Sequence, residues 1–350
     1  MAPASLLLEP GLREQVTGFF EPRCDSVDTG CSGVHEGIAF LHESGIVPTS
    51  LDTLGISQSC NADLARVVEV IATVAWSDMS SAFSLWCHRM VMEYMASAPV
   101  DSPLRIDTLP RLLRTEILGS TALAAAIANH LGQVPLPIVA RLEGDTLVLN
   151  GRITWASNLF APDFVIVTAI ARADDGQRLI VALPGGAPGV CVDPHPRLLA
   201  LQATGSSSLV LRNVRLDPGW IVTEDFDTFI QRVRPPFLLL QSSFCWGLAE
   251  RALAQGRESL RGVAEVFRSD LETLESQADN LAGQIRSGTG DHGRARPLRD
   301  LVQLRLDCAR LTTAAVALEA KIIGGRGYVN TSPTARRFRE AAFLPIQSPT

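Results

Sequence analysis

The pattern of apolar residues in this sequence changes twice, and that change limits the folds open to the chain. Between residues 114 and 222 the chain is a series of short runs rich in Val, Ile and Leu, separated by Gly, Asp and Pro. Such runs are typical of strands in an antiparallel sheet or barrel. The clearest runs are TLVLNGRITW, FVIVTAIA, RLIVALP and SLVLRNVRL. Within the first of them, Asn150-Gly151 predicts a hairpin turn.

On either side of this block, apolar residues recur at helical spacing. A helix is expected from Asn61, a suitable N-cap, with a break at Ser77–Ser81 before a second helix. The polar stretch Arg286–Pro297 is expected to separate two long helices. After it, a 3-4 repeat predicts a helix whose apolar seam packs against another long helix. The seam residues are Leu301, Leu304, Cys308, Leu311, Ala315, Leu318 and Ile322.

Together these patterns predict an α+β protein in three parts. We expect an N-terminal α-helical domain at residues 1–113, a central antiparallel β-barrel-like domain at 114–222 and a C-terminal α-helical bundle at 223–350. A chain of 350 residues, 46% of them hydrophobic, is long enough to bury a core in each part.

The composition argues against several classes of function. A net charge of -6 is unlike that of a nucleic-acid-binding protein. No apolar stretch approaches the roughly 20 residues of a membrane helix, and the N-terminal three-leucine run is too short for a signal peptide. A cytoplasmic protein is therefore expected. The seven cysteines form no CxxC pair, which favours reduced thiols over a zinc site or a disulfide framework, so no metal is expected.

Two glycine-rich stretches match phosphate-binding motifs only in part. GTGDHG at Gly288–Gly293 has the GxGxxG spacing, but it follows a predicted helix instead of a strand, so an ordinary loop is expected. LPGGAPG at Leu183–Gly189 lacks the GK[ST] ending of a P-loop and is expected to be a turn. There is no GxSxG motif to supply a hydrolase nucleophile.

Two other positions are candidates for chemistry. His88 lies on an apolar helix, where a satisfied core histidine is the usual outcome and a group at a domain interface is the alternative. The segment Asn150–Asn158 offers Trp155 and Ser157 from a strand edge. A flat aromatic beside a hydroxyl suits a planar cofactor with a polar edge, and a buried sheet tryptophan is equally compatible with the pattern.

The order of these features resembles the acyl-CoA dehydrogenase superfamily of flavoproteins. The α-β-α layout, NGRITWASN in the β-domain and IIGGRGYVNTSPTARRFREA near the C-terminus follow the family pattern over nearly the whole chain. In that family the C-terminal pattern is a glycine pair, a Gly-aromatic pair, a proline and then Arg with an acidic residue. Here it stands as Gly324, Gly325, Gly327, Tyr328, Pro333, Arg339 and Glu340.

The resemblance implies an oxidoreductase with FAD between the β-domain and the C-terminal helices, and an acyl-CoA or related substrate. It also implies a homodimer or homotetramer in which the glycine segment approaches a neighbouring subunit's FAD, and the 3-4 seam could supply an apolar interface. Trp155 and Ser157 match the residues that cover the flavin ring and bond its edge. The implied cofactor-binding set is Ser120, Thr121, Trp155, Ser157, Asn158, Gly324, Gly325, Gly327 and Thr350.

The catalytic base of the family is missing from its usual positions. A dehydrogenase of this family removes an α-proton with a glutamate. The commonest location of that glutamate falls on Ser348 here, and a second location falls near Phe237 in an uncharged run. A serine cannot replace the carboxylate without an adjacent base. The catalytic candidates are therefore Ser348, at the vacated position, and His88 as a relocated base.

Other family contacts are altered as well. The segment Thr115–Leu123 only partly matches the early flavin-binding motif, no Arg-x-x-Phe-Gly occurs in RESLRGVAEVF, and Lys321 replaces the usual glutamine. Ser206–Ser208 are either strand-edge serines or contacts for a CoA-like ligand. Three interpretations stay open: a base-less flavoenzyme such as an oxygen-using monooxygenase or oxidase, an acyl-CoA dehydrogenase with a relocated base, and a non-catalytic partner subunit of a hetero-oligomer.

Overall fold

The computed structural model describes residues 5–47, 61–289 and 296–347. Its strands lie in the middle of the chain, between two helical parts, as predicted. The helices are α1 (Pro10–Phe20), α2 (Cys24–Asp28), α3 (His35–Glu43), α4 (Asn61–Ser77), α5 (Met79–Met95), α6 (Leu109–Leu113), α7 (Ala124–His130), α8 (Phe226–Ser259), α9 (Arg268–Thr289), α10 (Leu298–Ile323) and α11 (Pro333–Phe343). The strands are β1 (Leu118–Ala122), β2 (Ile138–Glu143), β3 (Thr146–Ala156), β4 (Phe164–Arg172), β5 (Arg178–Pro184), β6 (Val190–Val192), β7 (Ser207–Leu216) and β8 (Ile221–Thr223).

The helix break predicted at Ser77–Ser81 is confirmed, and Asp78 causes it. This residue is extended, and its carboxylate accepts a hydrogen bond from the backbone N–H of Ser81 at 3.1 Å. That contact caps the N-terminus of α5. Every residue of α5 except Glu93 is buried, so α5 forms the centre of the helical part and contacts both the sheet and α8.

Within the described residues, eight strands form one sheet in the order β6-β7-β3-β2-β4-β5-β8, and β1 pairs with β4. The predicted antiparallel arrangement holds for most pairs, but β4 runs parallel to both β1 and β2. The sheet is therefore mixed. Parallel neighbours need a crossover between them. The chain passes from β1 to β4 through α7, β2 and β3, and from β2 to β4 through β3. The sheet encloses an apolar core of its own, separate from the core of the helical parts.

The hairpin prediction at Asn150-Gly151 is wrong, because both residues lie inside β3. The turn that joins β2 to β3 is at Gly144-Asp145. Gly151 marks a register shift in the pairing of β3 with β7. A Cβ at this position would overlap the carbonyl oxygen of Pro137. The glycine therefore permits a close backbone approach at a bulge, which is its other common use in strands.

The apolar seam of α10 is confirmed as a buried face, since all seven of its residues are buried. α10 packs mainly against α8 of the same chain, and also against α11 and α9. The suggestion that the seam serves a subunit interface is therefore wrong, because its apolar area is already covered. The two glycine-rich stretches can be compared with their predictions only in part. In GTGDHG, Gly288 and Thr289 are the last residues of α9, and residues 290–293 lie outside the described part of the chain. LPGGAPG leads from β5 through a turn to β6, as predicted.

None of the helices in the described part of the chain combines the length and apolarity of a membrane span. In the same ranges, no three His, Cys, Asp or Glu side chains converge as a metal site would require.

Candidate active site

A cavity of about 560 Å³ lies between the sheet and helices α5, α8 and α11. The sheet contributes Thr121 from β1 and Trp155 from β3, with Ser157 directly after β3. The helices contribute mostly apolar side chains. A cavity of this size, mainly apolar with a few polar groups, is typical of a site for a small organic ligand.

The Trp155 side chain is open to this cavity. The residue is 49% exposed, so the alternative of a buried sheet tryptophan is wrong. A bulge in β3 explains the exposure, because its pairing with β7 shifts register between Ile153 and Ala156 and leaves Thr154 and Trp155 both exposed between two buried residues. The hydroxyl of Thr121 also lines the cavity and lies 3.3 Å from the hydroxyl of Tyr94. The sheet side of the cavity therefore presents both an aromatic ring and a hydroxyl group.

Ser157 is the first member of a short chain of buried hydroxyl groups. Its Oγ lies 2.6 Å from Oγ of Ser206, which lies 2.7 Å from Oγ1 of Thr204. Thr204 donates in turn to the backbone carbonyl of Leu201 at 2.8 Å. All four residues line the cavity. The hydroxyl chain, as we call Ser157, Ser206 and Thr204, therefore connects the strand side of the cavity to the loop at Leu201.

The two serines after Ser206 point elsewhere. Ser207 donates to the backbone carbonyl of Asp193 at 3.0 Å, and Ser208 donates to the carboxylate of the same residue. The strand-edge interpretation is therefore correct for these two, whereas Ser206 faces the cavity.

Two predicted cofactor contacts, Ser120 and Asn158, do not line the cavity. Both are fully buried, and Ser120 Oγ has no hydrogen-bond partner among the described residues. Asn158 has a left-handed backbone with φ of 61°, and its amide donates to the carbonyls of Ser84 at 3.0 Å and Gly119 at 2.9 Å. Asn158 thus joins α5 to β1 and supports the cavity wall from behind.

His88 is a satisfied core histidine, and its interpretation as a relocated base is wrong. The side chain is fully buried, and its neighbours Trp86 and Cys87 line the cavity while His88 itself does not. Its Nδ1 accepts the backbone N–H of Gly119 at 3.0 Å, and its Nε2 is 3.1 Å from the carbonyl of Leu112. These contacts fix the Nε2–H tautomer. Burial lowers the pKa of His88 well below its ordinary value.

A second buried histidine gives a testable pH dependence. Burial, and then the charge of Arg89, lowers the pKa of His42 to about 4. Because the unfolded chain binds this proton at the ordinary value of 6.5, stability from His42 is present above 6.5 and is lost as the pH falls toward 4. When the pH is lowered from about 7.5 to about 5, the free energy of unfolding of the wild type should fall. We expect the fall to be about 2 kcal/mol smaller in His42→Phe, which lacks this group.

The measurement is a urea titration of both proteins at the two pH values. The exposed His195 provides the matched control, because His195→Phe leaves the buried group in place and should keep the wild-type pH dependence. An equal loss of stability in the wild type and His42→Phe would mean that His42 binds its proton as readily in the folded protein as in the unfolded chain.

The three predicted glycines after α10 do not line the cavity, and the first two lie on the surface. Gly324 has φ of 71°, and a Cβ at either Gly324 or Gly325 would meet nothing within 4 Å. Gly327 is different, because it is buried and a Cβ there would lie 2.9 Å from the side chain of Ile323 and 3.1 Å from that of Thr334. The first two glycines therefore leave open backbone at the surface, and the third permits the chain to turn into α11.

Two further predicted residues, Ser348 and Thr350, lie outside the described residues. Their predicted roles, the vacated base position and a cofactor contact, therefore stay predictions.

Among the described residues that line the cavity, none is Asp, Glu or His, and the charged member is Arg339. Its guanidinium donates to the Asp28 carboxylate and to the carbonyl and side-chain oxygens of Asn330 at 3.0 Å. This arginine is therefore held in place by its own partners. The following residue, Glu340, is buried away from the cavity, where burial raises the pKa of its carboxyl to about 7 against the opposing charge of Arg336.

Sequence reasoning missed the helical side of the cavity. Phe83, Trp86 and Cys87 line it from α5, and Phe343 lines it from α11. The spacing of Phe83 and Trp86, three residues apart on a helix, places both rings on one face. This spacing is visible in the sequence, but aromatic residues packed in a helical core have the same spacing, so it does not identify a cavity. Phe237, near the second family position of the base, also lines the cavity.

The chain is similar to several proteins of one kind. It is 24% identical over 226 residues to the mitochondrial short-chain specific acyl-CoA dehydrogenase of Bos taurus, which covers 60% of this chain and 55% of that protein. It is 22% identical over 273 residues to the mitochondrial isovaleryl-CoA dehydrogenase of Pongo abelii, covering 69% and 61%. The chain thus matches little more than half the length of these curated relatives. No protein-family model matches it.

The structural comparison covers far more of the chain. The solved structure of butyryl-CoA dehydrogenase from Megasphaera elsdenii superposes with a TM-score of 0.83 over 97% of this chain and 93% of that one, at 18% identity. The chain has the acyl-CoA dehydrogenase fold. The predicted resemblance and the α+β fold class are therefore confirmed, including the order of helical part, sheet and C-terminal helices.

Proposed function

We propose that this protein is an FAD-dependent oxidoreductase that acts on an acyl-CoA or a similar apolar substrate. The observation that carries the proposal is the cavity, in which Trp155 and the hydroxyls of Thr121 and Ser157 face a wall of apolar helix side chains. A flavin ring has two flat faces and a polar edge, so an aromatic ring beside hydroxyls suits it. When bound, FAD would supply two-electron oxidation or oxygen chemistry.

The residues present fit this cofactor. Trp155 would lie against the ring, and Thr121 and Ser157 would meet its edge from the sheet side. Gly324 and Gly325 have free space where a side chain would otherwise stand, so they would admit another molecule close to their backbone. A homodimer or homotetramer, in which these glycines approach a neighbouring subunit's FAD, is part of the proposal.

The reaction we favour is one that does not require the usual carboxylate. No Asp, Glu or His occurs among the described residues that line the cavity, so a proton acceptor beside a thioester's α-carbon is missing from that set. This supports oxygen-using chemistry, as in a monooxygenase or oxidase, over a conventional dehydrogenation. The apolar helical wall would exclude water from the reacting atoms.

A non-catalytic partner subunit is the second candidate. The observation that favours it is the same lack of an acid or base among the cavity residues that the structure describes. The open Trp155 ring and the retained hydroxyls favour a bound flavin instead.

The first experiment is the visible spectrum of the purified protein, before and after incubation with FAD and gel filtration. We expect the absorbance bands of bound oxidised flavin. A protein that stays colourless after incubation with FAD would contradict the proposal and favour the partner-subunit alternative.

The second experiment separates the reaction types. The yellow protein is mixed anaerobically with a panel of acyl-CoAs, and air is then admitted. Bleaching of the flavin by a substrate alone indicates dehydrogenation. Oxygen uptake that occurs only after a reductase has reduced the flavin, with no bleaching by substrate, is the result expected for a monooxygenase.

A further inference from the structure

The helical side of the cavity is a wall of aromatic rings drawn from three helices. The rings are Phe83 and Trp86 of α5, Phe237 of α8 and Phe343 of α11. Phe83 stacks on Trp86 with centroids 5.4 Å apart and an interplanar angle of 22°. The other two contacts are edge-to-face: Trp86 with Phe237 at 4.8 Å, and Phe83 with Phe343 at 5.1 Å. We call these four side chains the aromatic wall.

Contacts behind the rings fix the wall in place. The indole N–H of Trp86 donates to the backbone carbonyl of Phe237 at 3.4 Å, which joins α5 to α8. Phe244 lies behind both Phe83 and Trp86, with centroids 6.2 and 6.1 Å away in edge-to-face geometry. The wall is therefore organised before a ligand enters, so binding costs little ordering of these side chains.

An aromatic wall distinguishes aryl from alkyl groups by more than the apolar area that each buries. A straight alkyl chain gains only the burial of its surface when it enters such a cavity. A phenyl ring gains burial and also the edge-to-face or offset contacts that arise from the ring quadrupoles. The thiol of Cys87, which lines the same region, adds a polarisable sulfur that also contacts rings favourably.

Charge placement favours a neutral aryl group at this end. Among the described residues that line the cavity, the charged one, Arg339, is already bonded to Asp28 and Asn330, and the hydroxyls of Thr121 and Ser157 belong to the sheet side. An acyl group would therefore place its thioester toward the sheet side and its apolar end against the aromatic wall.

We propose that the aromatic wall selects an aryl-substituted acyl group, such as phenylpropanoyl, over a straight alkyl chain of the same carbon number. This inference rests on the proposed function, because it names the class of substrate for that same cavity.

The test compares two CoA thioesters with the same number of acyl carbons, phenylpropanoyl-CoA and nonanoyl-CoA. Each is titrated into the FAD-loaded protein by isothermal titration calorimetry, which needs no turnover. We expect phenylpropanoyl-CoA to bind about tenfold more tightly, since two or more new ring contacts add to burial.

The variant Phe83→Leu tests whether the wall causes the difference. Leucine keeps the side chain apolar and removes one ring, so the preference should fall to about twofold or less while nonanoyl-CoA affinity is kept. Phe343→Leu, at the partly buried end of the wall, gives an independent variant if Phe83→Leu fails to fold. Phe40→Leu is the matched control, because Phe40 stacks on Phe19 at 4.1 Å in the N-terminal helices, away from the cavity.

The outcomes separate this inference from the proposed function. Equal or tighter binding of nonanoyl-CoA to yellow protein overturns the aryl preference and leaves the flavoprotein proposal standing. A preference that persists in both wall variants also overturns it. Yellow protein that binds neither thioester overturns the acyl-CoA part of the proposed function together with the inference, and protein that takes up no FAD overturns both.

Discussion

Replacing Arg337 by methionine is expected to lower the free energy of unfolding by about 3–5 kcal/mol. Arg337 on α11 and Glu319 on α10 form a two-pronged ion pair, with Nε of the arginine 2.9 Å from Oε2 of the glutamate. Both side chains are almost completely buried. Thr334 also donates to Glu319 at 2.6 Å. Removing the arginine would leave a buried carboxylate without its counter-charge, and the loss is measured by urea titration.

The double variant Arg337→Met with Glu319→Met is the control. Because both charges are then absent, most of the lost stability should return. Exposed pairs such as Arg310 with Asp307 offer a second comparison, where Arg310→Met should change stability by less than about 1 kcal/mol. A small effect of Arg337→Met alone would mean that water reaches the pair.

Replacing Trp155 by alanine is expected to weaken FAD binding on the order of tenfold or more. The proposed contact is between the indole and the flavin ring, and alanine removes the whole flat surface that the cavity presents on the sheet side. The side chain is half exposed, so the fold should tolerate its loss. The dissociation constant for FAD is measured by fluorescence titration of the apoprotein.

Trp76→Ala is the matched control for this result. Trp76 lies between the guanidinium groups of Arg13 and Arg251, at 4.7 and 5.3 Å, and it does not line the cavity. Its loss should leave FAD affinity unchanged. Wild-type FAD affinity in Trp155→Ala would place the flavin elsewhere and would remove the main support for the proposed function.

The features that the sequence predicted well depend on local pattern. The seam of α10 could be read from spacing alone, because a helix places residues three and four apart on one face. The break between α4 and α5 followed from a polar run that contains the cap Asp78. The strand runs were evident from their Val and Ile content, and the order of all these elements led to the correct fold. The domain boundaries stay a prediction.

The features that it predicted poorly depend on contacts distant in sequence. Asn150-Gly151 is a good turn pair by local criteria, yet the backbone at Pro137 makes the glycine necessary inside a strand. His88 is interesting on a helix by itself, but its two ring nitrogens are taken by Gly119 and Leu112. Neither partner can be identified before the strands and helices are placed together.

The candidate site was found in part for the same reason. Trp155 and Ser157 belong to one short motif, so a single segment identified them. The opposite wall comes from three helices more than a hundred residues apart in places, as Trp86 and Phe237 are. Aromatic residues in helices pack in any core, and only the assembled structure distinguishes those that face a cavity.

The hydrogen bonds of the hydroxyl chain all run in one direction, and that direction depends on whether the ligand at Ser157 donates or accepts a hydrogen bond. Each hydroxyl has one proton, so while Thr204 donates to the carbonyl of Leu201, Ser206 donates to Thr204 and Ser157 donates to Ser206. The lone pairs of Ser157 are then left for a donor in the cavity. A ligand atom that instead accepts from Ser157 would reverse the chain and release the Leu201 carbonyl. The hydrogen bond to the Leu201 carbonyl would therefore be present with a ligand that donates to Ser157 and absent with a ligand that accepts from it.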